Sequence, residues 1–203
     1  MDKLNFTHNL SMKKTMFLMA ALVMLAVCGN ATRKAEAADA SAQTSAEDTI
    51  VYEHQYLVKV GDVAPDFTLR YTDGSMFTLS EQRGKVVMLQ FTASWCGICR
   101  SEMPHIESRI WQPHKGNPDF VLVGVDREES SEVVEEYVSK LGTTYPMLLD
   151  DKGDVFASYA LRNSGITRNV LVGRDGRIVK LTRRFVESEF NDLVAAIDSL
   201  LSK

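Results

Sequence analysis

The sequence predicts an α/β domain with a mixed central sheet that is covered by helices on both faces. Short apolar runs of strand length alternate with segments of helical periodicity, and the last two runs flank a turn that closes a hairpin. The chain has 203 residues, of which 45% are hydrophobic and 25% charged, as is typical of one globular domain with additional segments. A net charge of −4 without a long basic stretch argues against a nucleic-acid partner.

The first 28 residues resemble an export leader. Two lysines, Lys13-Lys14, precede an unbroken apolar run over residues 16–27, which is too short to cross a bilayer. Residues 1–28 are therefore interpreted as a signal or lipoprotein leader, and Met12 would give such a leader a more ordinary start. The mature protein is then expected outside the cytoplasm of a bacterium.

Two kinds of maturation remain open for this leader. The residues before Cys28 are similar to a lipobox, which would make Cys28 a lipidated N-terminus and the protein membrane-anchored, although Val27 departs from the pattern. Alternatively, cleavage after Ala35-Glu36-Ala37 would release a periplasmic protein. The membrane is thus a partner only through a lipid anchor.

A flexible tether is expected next, over residues 29–56, because its first part is rich in Ala, Ser, Thr, Asp, Glu and Gln. The folded domain is expected over residues 57–203. It opens with short strands on both sides of the turn at Asp73-Gly74. The first buried strand follows at Val86–Phe91, and a helix begins near Gly97 and continues to Trp111 with Pro104 inside it.

The remaining elements follow from the same periodicities. We expect a second buried strand at Phe120–Val125, an amphipathic helix at Ser130–Leu141 and a short strand at Met147–Leu149. A short helix at Asp154–Leu161, a hairpin at Val170–Leu181 and a last amphipathic helix at Phe190–Leu201 follow.

Chemistry is indicated by two cysteines, Cys96 and Cys99, which follow the first buried strand. A structural zinc ion needs four ligands, and no second Cys or His pair of suitable spacing exists, so no metal is expected. A disulfide between them closes too small a loop to stabilise the fold much. At a strand-to-helix junction, however, the helix dipole favours a thiolate on Cys96, and Cys99 lies one turn away. The pair is predicted to be a redox dithiol that needs no further cofactor.

The segment Phe91–Pro104, F-T-A-S-W-C-G-I-C-R-S-E-M-P, resembles the TlpA/ResA type of thioredoxin-like proteins, which are related to the redoxins. These are exported, usually membrane-tethered thiol–disulfide reductases, and the likeness extends from about Gly61 to Leu201. The resemblance implies a thioredoxin-like fold with extra N-terminal strands. It further implies that Cys96 attacks, that Cys99 resolves the mixed disulfide, and that Glu102 is an acid–base group close to the dithiol.

The same resemblance places Trp95, Gly97 and Ile98 in the active-site loop. Gln90 occupies the position where cytoplasmic thioredoxins bury an aspartate, and glutamine cannot take a proton there. The acid–base role would then depend more heavily on Glu102.

One departure concerns the second landmark of the family, a cis-proline that faces the dithiol. Thr167 replaces this proline, and a cis bond before threonine costs about 3–4 kcal/mol. Three interpretations remain open. The Thr167 hydroxyl stabilises the Cys96 thiolate, with added charge from Arg168; the lost ring makes room for a metal ion; or the change is a neutral loop substitution.

The expected function is that of an envelope thiol–disulfide oxidoreductase acting as a reductase. Its partners would be disulfide-containing exported proteins and a membrane electron donor that reduces the dithiol again. Two alternatives are a peroxiredoxin-like thiol peroxidase and a thiol chaperone for metal or haem maturation. The peroxidase is disfavoured because the proline of its Pro-x-x-x-Thr pattern is absent, and the chaperone because no Met-x-Met or His cluster is present.

Overall fold

A computed structural model of the protein describes residues 51–203. Seven strands form one sheet, and their bounds are β1 Thr68–Tyr71, β2 Met76–Thr78, β3 Val86–Thr92, β4 Phe120–Arg127, β5 Met147–Asp150, β6 Arg168–Val172 and β7 Ile178–Arg183. Five helices accompany them: α1 Gly97–Ile106, α2 Gln112–His114, α3 Ser131–Leu141, α4 Asp154–Tyr159 and α5 Glu187–Leu201.

The sheet is mixed, in the order β2-β1-β5-β4-β3-β6-β7. The three central strands β3, β4 and β5 run parallel, whereas β1 and β2 on one side and β6 and β7 on the other pair antiparallel. Strand β3 is buried along its whole length, as its continuous apolar run predicts. The extra strands β1 and β2 before β3 confirm the expected N-terminal addition.

Helices cover both faces of the sheet, as expected. On one face, α1, α3 and α5 pack against residues of β3, β4 and β6, among them Met88, Leu122 and Leu171. On the other face, Leu89 and neighbouring residues pack against α4 and the segment around Tyr56. Successive residues of β3 therefore serve two separate cores, because side chains alternate across a strand.

The first helix follows its predicted course with one irregularity. α1 continues through a π-type turn at Glu107–Trp111 into α2, so the helical path spans the expected residues. Pro104 lies inside α1, and the π turn begins three residues after it. A proline removes one backbone donor within a helix, so the Arg100 carbonyl, four residues before Pro104, loses its intrahelical partner.

The N-terminal boundary differs from the expectation. Tyr56, which the sequence assigns to the tether, is buried, and its hydroxyl donates to the Thr182 carbonyl at 2.6 Å. The folded part thus begins before Leu57, because a tyrosine can bury its ring when its hydroxyl finds an acceptor. The predicted leader over residues 1–28, Cys28 and the tether up to residue 50 lie outside the described residues. Within residues 51–203, no helix has both the length and the apolar character needed to cross a membrane.

Candidate active site

The dithiol lies where β3 gives way to α1. After β3 a short turn, closed by the Cys96 N–H donating to the Ala93 carbonyl at 3.1 Å, brings Cys96 to the helix N-cap. There its sulfur accepts the Cys99 backbone N–H at 3.2 Å. A free N–H group and the positive end of the helix dipole both favour negative charge on this sulfur.

The two cysteines form a disulfide in this structure. Their sulfurs are within bonding distance and their Cα atoms are 5.3 Å apart. Cys96 is half-buried, whereas Cys99 is completely buried. Only the first sulfur is therefore accessible to another molecule, and the second can act only on what Cys96 has bound.

Thr167 lies directly against the disulfide. Its Oγ1 is 3.1 Å from the Cys96 sulfur and 3.2 Å from the Cys99 sulfur. Because disulfide sulfurs carry no hydrogen, the hydroxyl is the donor in this state. The loop that contains Thr167 thus faces the cysteines, as the resemblance implies, with a hydroxyl in place of a proline ring.

The predicted acid–base residue, Glu102, is buried in α1 three positions after Cys99. Residues at this spacing are neighbours on one helix face, so the carboxyl lies on the same side of α1 as the buried thiol. Its Oε1 accepts the Asn169 amide at 2.8 Å, and its Oε2 has no partner. Burial raises the pKa of Glu102 to about 7, and the hydrogen bond from Asn169 opposes this rise. A carboxyl with this pKa exchanges protons near neutrality.

Two amide residues on neighbouring strands, Asn169 and Gln90, lie beside Glu102. They face each other across β3 and β6, and both are completely or almost completely buried. Asn169 also donates to the Thr182 hydroxyl at 3.0 Å, and Gln90 accepts the hydroxyl of Tyr145. The sequence did not single out Asn169 or Tyr145, because neither lies in a local motif.

Two further carboxyl groups lie close to the turn before Cys96. Glu129 accepts both the backbone N–H and the hydroxyl of Ser94, each at 2.6 Å. Asp126, at the end of β4 opposite Thr92, is completely buried, and both of its oxygens lack partners. Burial and then the adjacent Glu129 charge raise the pKa of Asp126 to about 8. These residues were not predicted from the sequence, although the three acids Asp126, Glu128 and Glu129 directly after a buried strand were a usable signal.

The remaining residues predicted for the site separate into two groups. Trp95, Gly97 and Ile98 are exposed around the disulfide, with Trp95 62% accessible, and they form an apolar rim. Arg168 points elsewhere, because consecutive side chains in a strand face opposite sides. Its guanidinium is completely buried, stacks 4.4 Å from the Tyr56 ring centroid and donates to the His54 carbonyl and the Ser164 hydroxyl. The structure therefore gives Arg168 a place against Tyr56 and no hydrogen bond to either cysteine.

Between residues 51 and 203, no group of three or more His, Cys, Asp or Glu residues is arranged to hold a metal ion. The groups gathered at this site are two sulfurs, a hydroxyl and buried carboxyls, which suit electron and proton transfer.

This fold and this site define a thioredoxin-like protein with a Cys-x-x-Cys disulfide. The family model described as Redoxin matches residues 59–197, and the chain belongs to that family. Among curated relatives, thiol-disulfide oxidoreductase ResA of Bacillus subtilis is 28% identical over 72% of this chain and 80% of its own length. The ResA of Halalkalibacterium halodurans is 30% identical over 68% of this chain and 78% of the relative.

A solved structure extends the likeness. The "putative protein disulfide isomerase" of Bacteroides thetaiotaomicron is 57% identical, covers 73% of this chain and 94% of its own, and superimposes with a TM-score of 0.72. By family, the protein is a thiol–disulfide oxidoreductase with Cys96 and Cys99 as its cysteine pair.

Proposed function

We propose that the protein is a thiol–disulfide reductase of the bacterial cell envelope that reduces disulfides in exported proteins. The observation that carries this proposal is the asymmetry of the pair. Cys96 is half-buried at a helix N-cap with an N–H group and a hydroxyl within 3.2 Å of its sulfur, and Cys99 is buried behind it. This arrangement favours a thiolate that attacks and a thiol that resolves.

The reaction begins with the reduced enzyme. The Cys96 thiolate attacks one sulfur of the substrate disulfide, a Cys96–substrate disulfide forms, and the other substrate sulfur leaves as a thiolate that takes a proton. The Cys99 thiolate then attacks the Cys96 sulfur, which releases the second substrate thiol. Two electrons pass from the enzyme dithiol to the substrate, and the enzyme is left as the disulfide seen in this structure.

Proton transfer in the second step is assigned to Glu102. A buried thiol is a poor nucleophile until it loses its proton, because burial disfavours the charged form. Glu102 lies on the same helix face, and its pKa of about 7 lets it accept that proton near neutral pH. Thr167 would hold the Cys96 sulfur while this occurs.

The reduced state must be restored by a reductant, and we assign this role to a membrane protein that carries a dithiol of lower potential.

Export is supported by the leader predicted over residues 1–28, with either a lipid anchor on Cys28 or cleavage after Ala37. Fractionation of cells that express the full chain tests export and distinguishes the lipid anchor from cleavage. Radiolabelled lipid on the wild type but not on Cys28→Ser would support the anchor, and a free periplasmic form of both would support cleavage. Retention of an uncleaved chain in the cytoplasm would contradict export.

Trapping tests the proposed chemistry. Cys99→Ser should accumulate a mixed disulfide with a disulfide-bonded peptide, detectable as a mass increase that dithiothreitol reverses. Cys96→Ser, the matched control, should trap nothing through Cys99, which is buried; both variants carry Cys28→Ser so that no third thiol reacts. Equal trapping by both variants would contradict the assigned roles. Turnover of hydrogen peroxide by the wild type, faster than turnover of peptide disulfides, would favour the thiol peroxidase instead. Tight stoichiometric Cu(I) binding without disulfide exchange would favour the chaperone.

A further inference from the structure

Two adjacent arginines border the loop that touches the dithiol. Arg183 ends β7, and Arg184 follows it. The Arg184 backbone N–H donates to the Thr167 carbonyl at 3.2 Å. The Arg183 guanidinium packs so closely on Gly165 that any side chain there would collide with it. Since Thr167 contacts both sulfurs, these two cationic residues border the loop that lies against the disulfide.

Their positive charge is not neutralised within the part of the chain that the structure describes. Neither arginine forms an ion pair with a carboxylate among residues 51–203. Arg168, directly opposite Arg183 in the strand register, also lacks one there. Like charges in that position repel each other. Burial and then the adjacent Arg184 charge lower the pKa of Arg183, so a carboxylate would stabilise its charged form.

Space for a ligand lies beside Arg183. A cavity of about 360 Å³ opens between β7 and the segment around Tyr56, and Arg183 lines it. Two lysines that also line it are already engaged, Lys59 with Asp62 at 2.7 Å and Lys180 with Asp192 at 3.8 Å. The acids of its wall, Glu53 and Glu189, are exposed, and neither pairs with Arg183. Arg183 is thus a cation placed between the Gly165–Thr167 loop and an open cavity.

The backbone holds Arg184 in an unusual conformation. Its φ is +69°, in the left-handed region that non-glycine residues seldom adopt. Such conformations persist where the surrounding structure enforces them, and they are concentrated at functional sites. Here the hydrogen bond to Thr167 fixes the exposed Arg184 beside the dithiol loop.

We propose that Arg183 and Arg184 form a carboxylate-binding subsite, so that the protein prefers substrate polypeptides with Asp or Glu next to the disulfide cysteine. The proposal rests on the proposed function, because it names the substrate class of that same site. A guanidinium binds a carboxylate through two parallel N–H donors, which gives both orientation and affinity. A substrate with lysine at the same place would be repelled.

The test uses three disulfide-bonded peptides that differ only in the two residues flanking one cysteine, Glu-Glu, Gln-Gln or Lys-Lys. For the wild type, kcat/KM should be about five- to tenfold higher for the Glu peptide than for the Gln peptide, and lowest for the Lys peptide. Raising the ionic strength should reduce this ratio. In the Arg183→Gln/Arg184→Gln double variant the ratio should fall to about one. Arg184→Gln alone, at an exposed position, should lower it partway and keeps the test valid should the double variant fail to fold.

Arg70→Gln is the matched control, because Arg70 is an arginine on β1, toward the opposite edge of the sheet. The Arg70→Gln variant should keep the wild-type ratio of kcat/KM for the Glu peptide to kcat/KM for the Gln peptide. Equal rates for all three peptides, or a ratio preserved in the double variant, would overturn the subsite.

A binding measurement separates this outcome from failure of the proposed function. Peptides with serine in place of cysteine cannot react, yet calorimetric titration should still show tighter binding of the Glu peptide to the wild type than to the double variant. Charge-independent binding would refute the subsite whether or not the protein reduces disulfides. Charge-dependent binding without turnover would support the subsite and refute the reductase.

Discussion

Replacing Glu102 by glutamine should alter the pH dependence of stability in a defined direction. The carboxyl is 1% exposed, and its pKa rises from 4.5 to about 7 because burial penalises its charged form. At about 1.4 kcal/mol for each pKa unit, this rise corresponds to about 3 kcal/mol. Glutamine has nearly the same shape and keeps a carbonyl acceptor for the Asn169 amide, but it does not titrate.

The direction in which the free energy of unfolding changes with pH follows from the number of protons bound by the folded and unfolded states. Between pH 4.5 and about 7 the folded state retains a proton that the unfolded state has lost. The wild type is therefore most favoured below the unfolded pKa, and its free energy of unfolding falls by about 3 kcal/mol in total as the pH rises from the unfolded pKa through the folded pKa. Glu102→Gln lacks this contribution and should lose correspondingly less stability on going to alkaline pH.

Urea unfolding of the oxidised proteins at about pH 4, 6 and 8 measures this difference. Asp126 also has a raised pKa, but it is present in both proteins, so the difference between their pH profiles isolates Glu102. Disulfide exchange should show the complementary effect. The variant should resolve mixed disulfides at least about 100-fold more slowly at neutral pH, the lower range for a lost acid–base group. Parallel stability profiles for the two proteins would refute the burial argument.

Three further changes test the surroundings of the dithiol. Thr167→Val removes the hydroxyl that contacts the sulfurs and should raise the pKa of the Cys96 thiol by about one unit. Ultraviolet absorbance of the thiolate measures this pKa, and an unchanged titration would exclude the hydroxyl as a stabilising donor. Asn169→Ala removes a hydrogen bond that lowers the pKa of Glu102, so the pH–rate profile should move to higher pH, and a shift to lower pH would contradict this. Ser94→Ala loses one hydrogen bond to a carboxylate and should unfold with about 1–2 kcal/mol less free energy, whereas no loss would show that the remaining backbone bond suffices.

Most of the fold could be predicted because its signals are local. The apolar run at Val86–Phe91 predicts a strand that is buried on both faces, and the structure confirms it. The helical spacing of apolar residues over Ser130–Leu141 similarly predicts α3, which the structure begins one residue later. A turn of small residues between such a strand and a helix was enough to place Cys96 at a helix start.

The parts of the site that the sequence did not indicate depend on distant contacts. Asn169 donates to Glu102 from 67 positions away, and Tyr145 reaches Gln90 from 55 positions away. No local sequence pattern predicts either contact. Arg168 illustrates a different difficulty, because its nearness to Thr167 in the chain suggested nearness to the sulfur. The strand geometry instead turns consecutive side chains to opposite faces.

The reduction potential of the Cys96–Cys99 pair tests the central claim most directly. The oxidised full chain would be equilibrated with dithiothreitol or glutathione buffers, and the dithiol fraction would be counted by thiol alkylation and mass measurement. A potential near or below about −250 mV, in the range of thioredoxin, is the result expected of a reductase. A potential near about −120 mV would mark a protein that forms disulfides and would contradict the reducing direction proposed for Cys96.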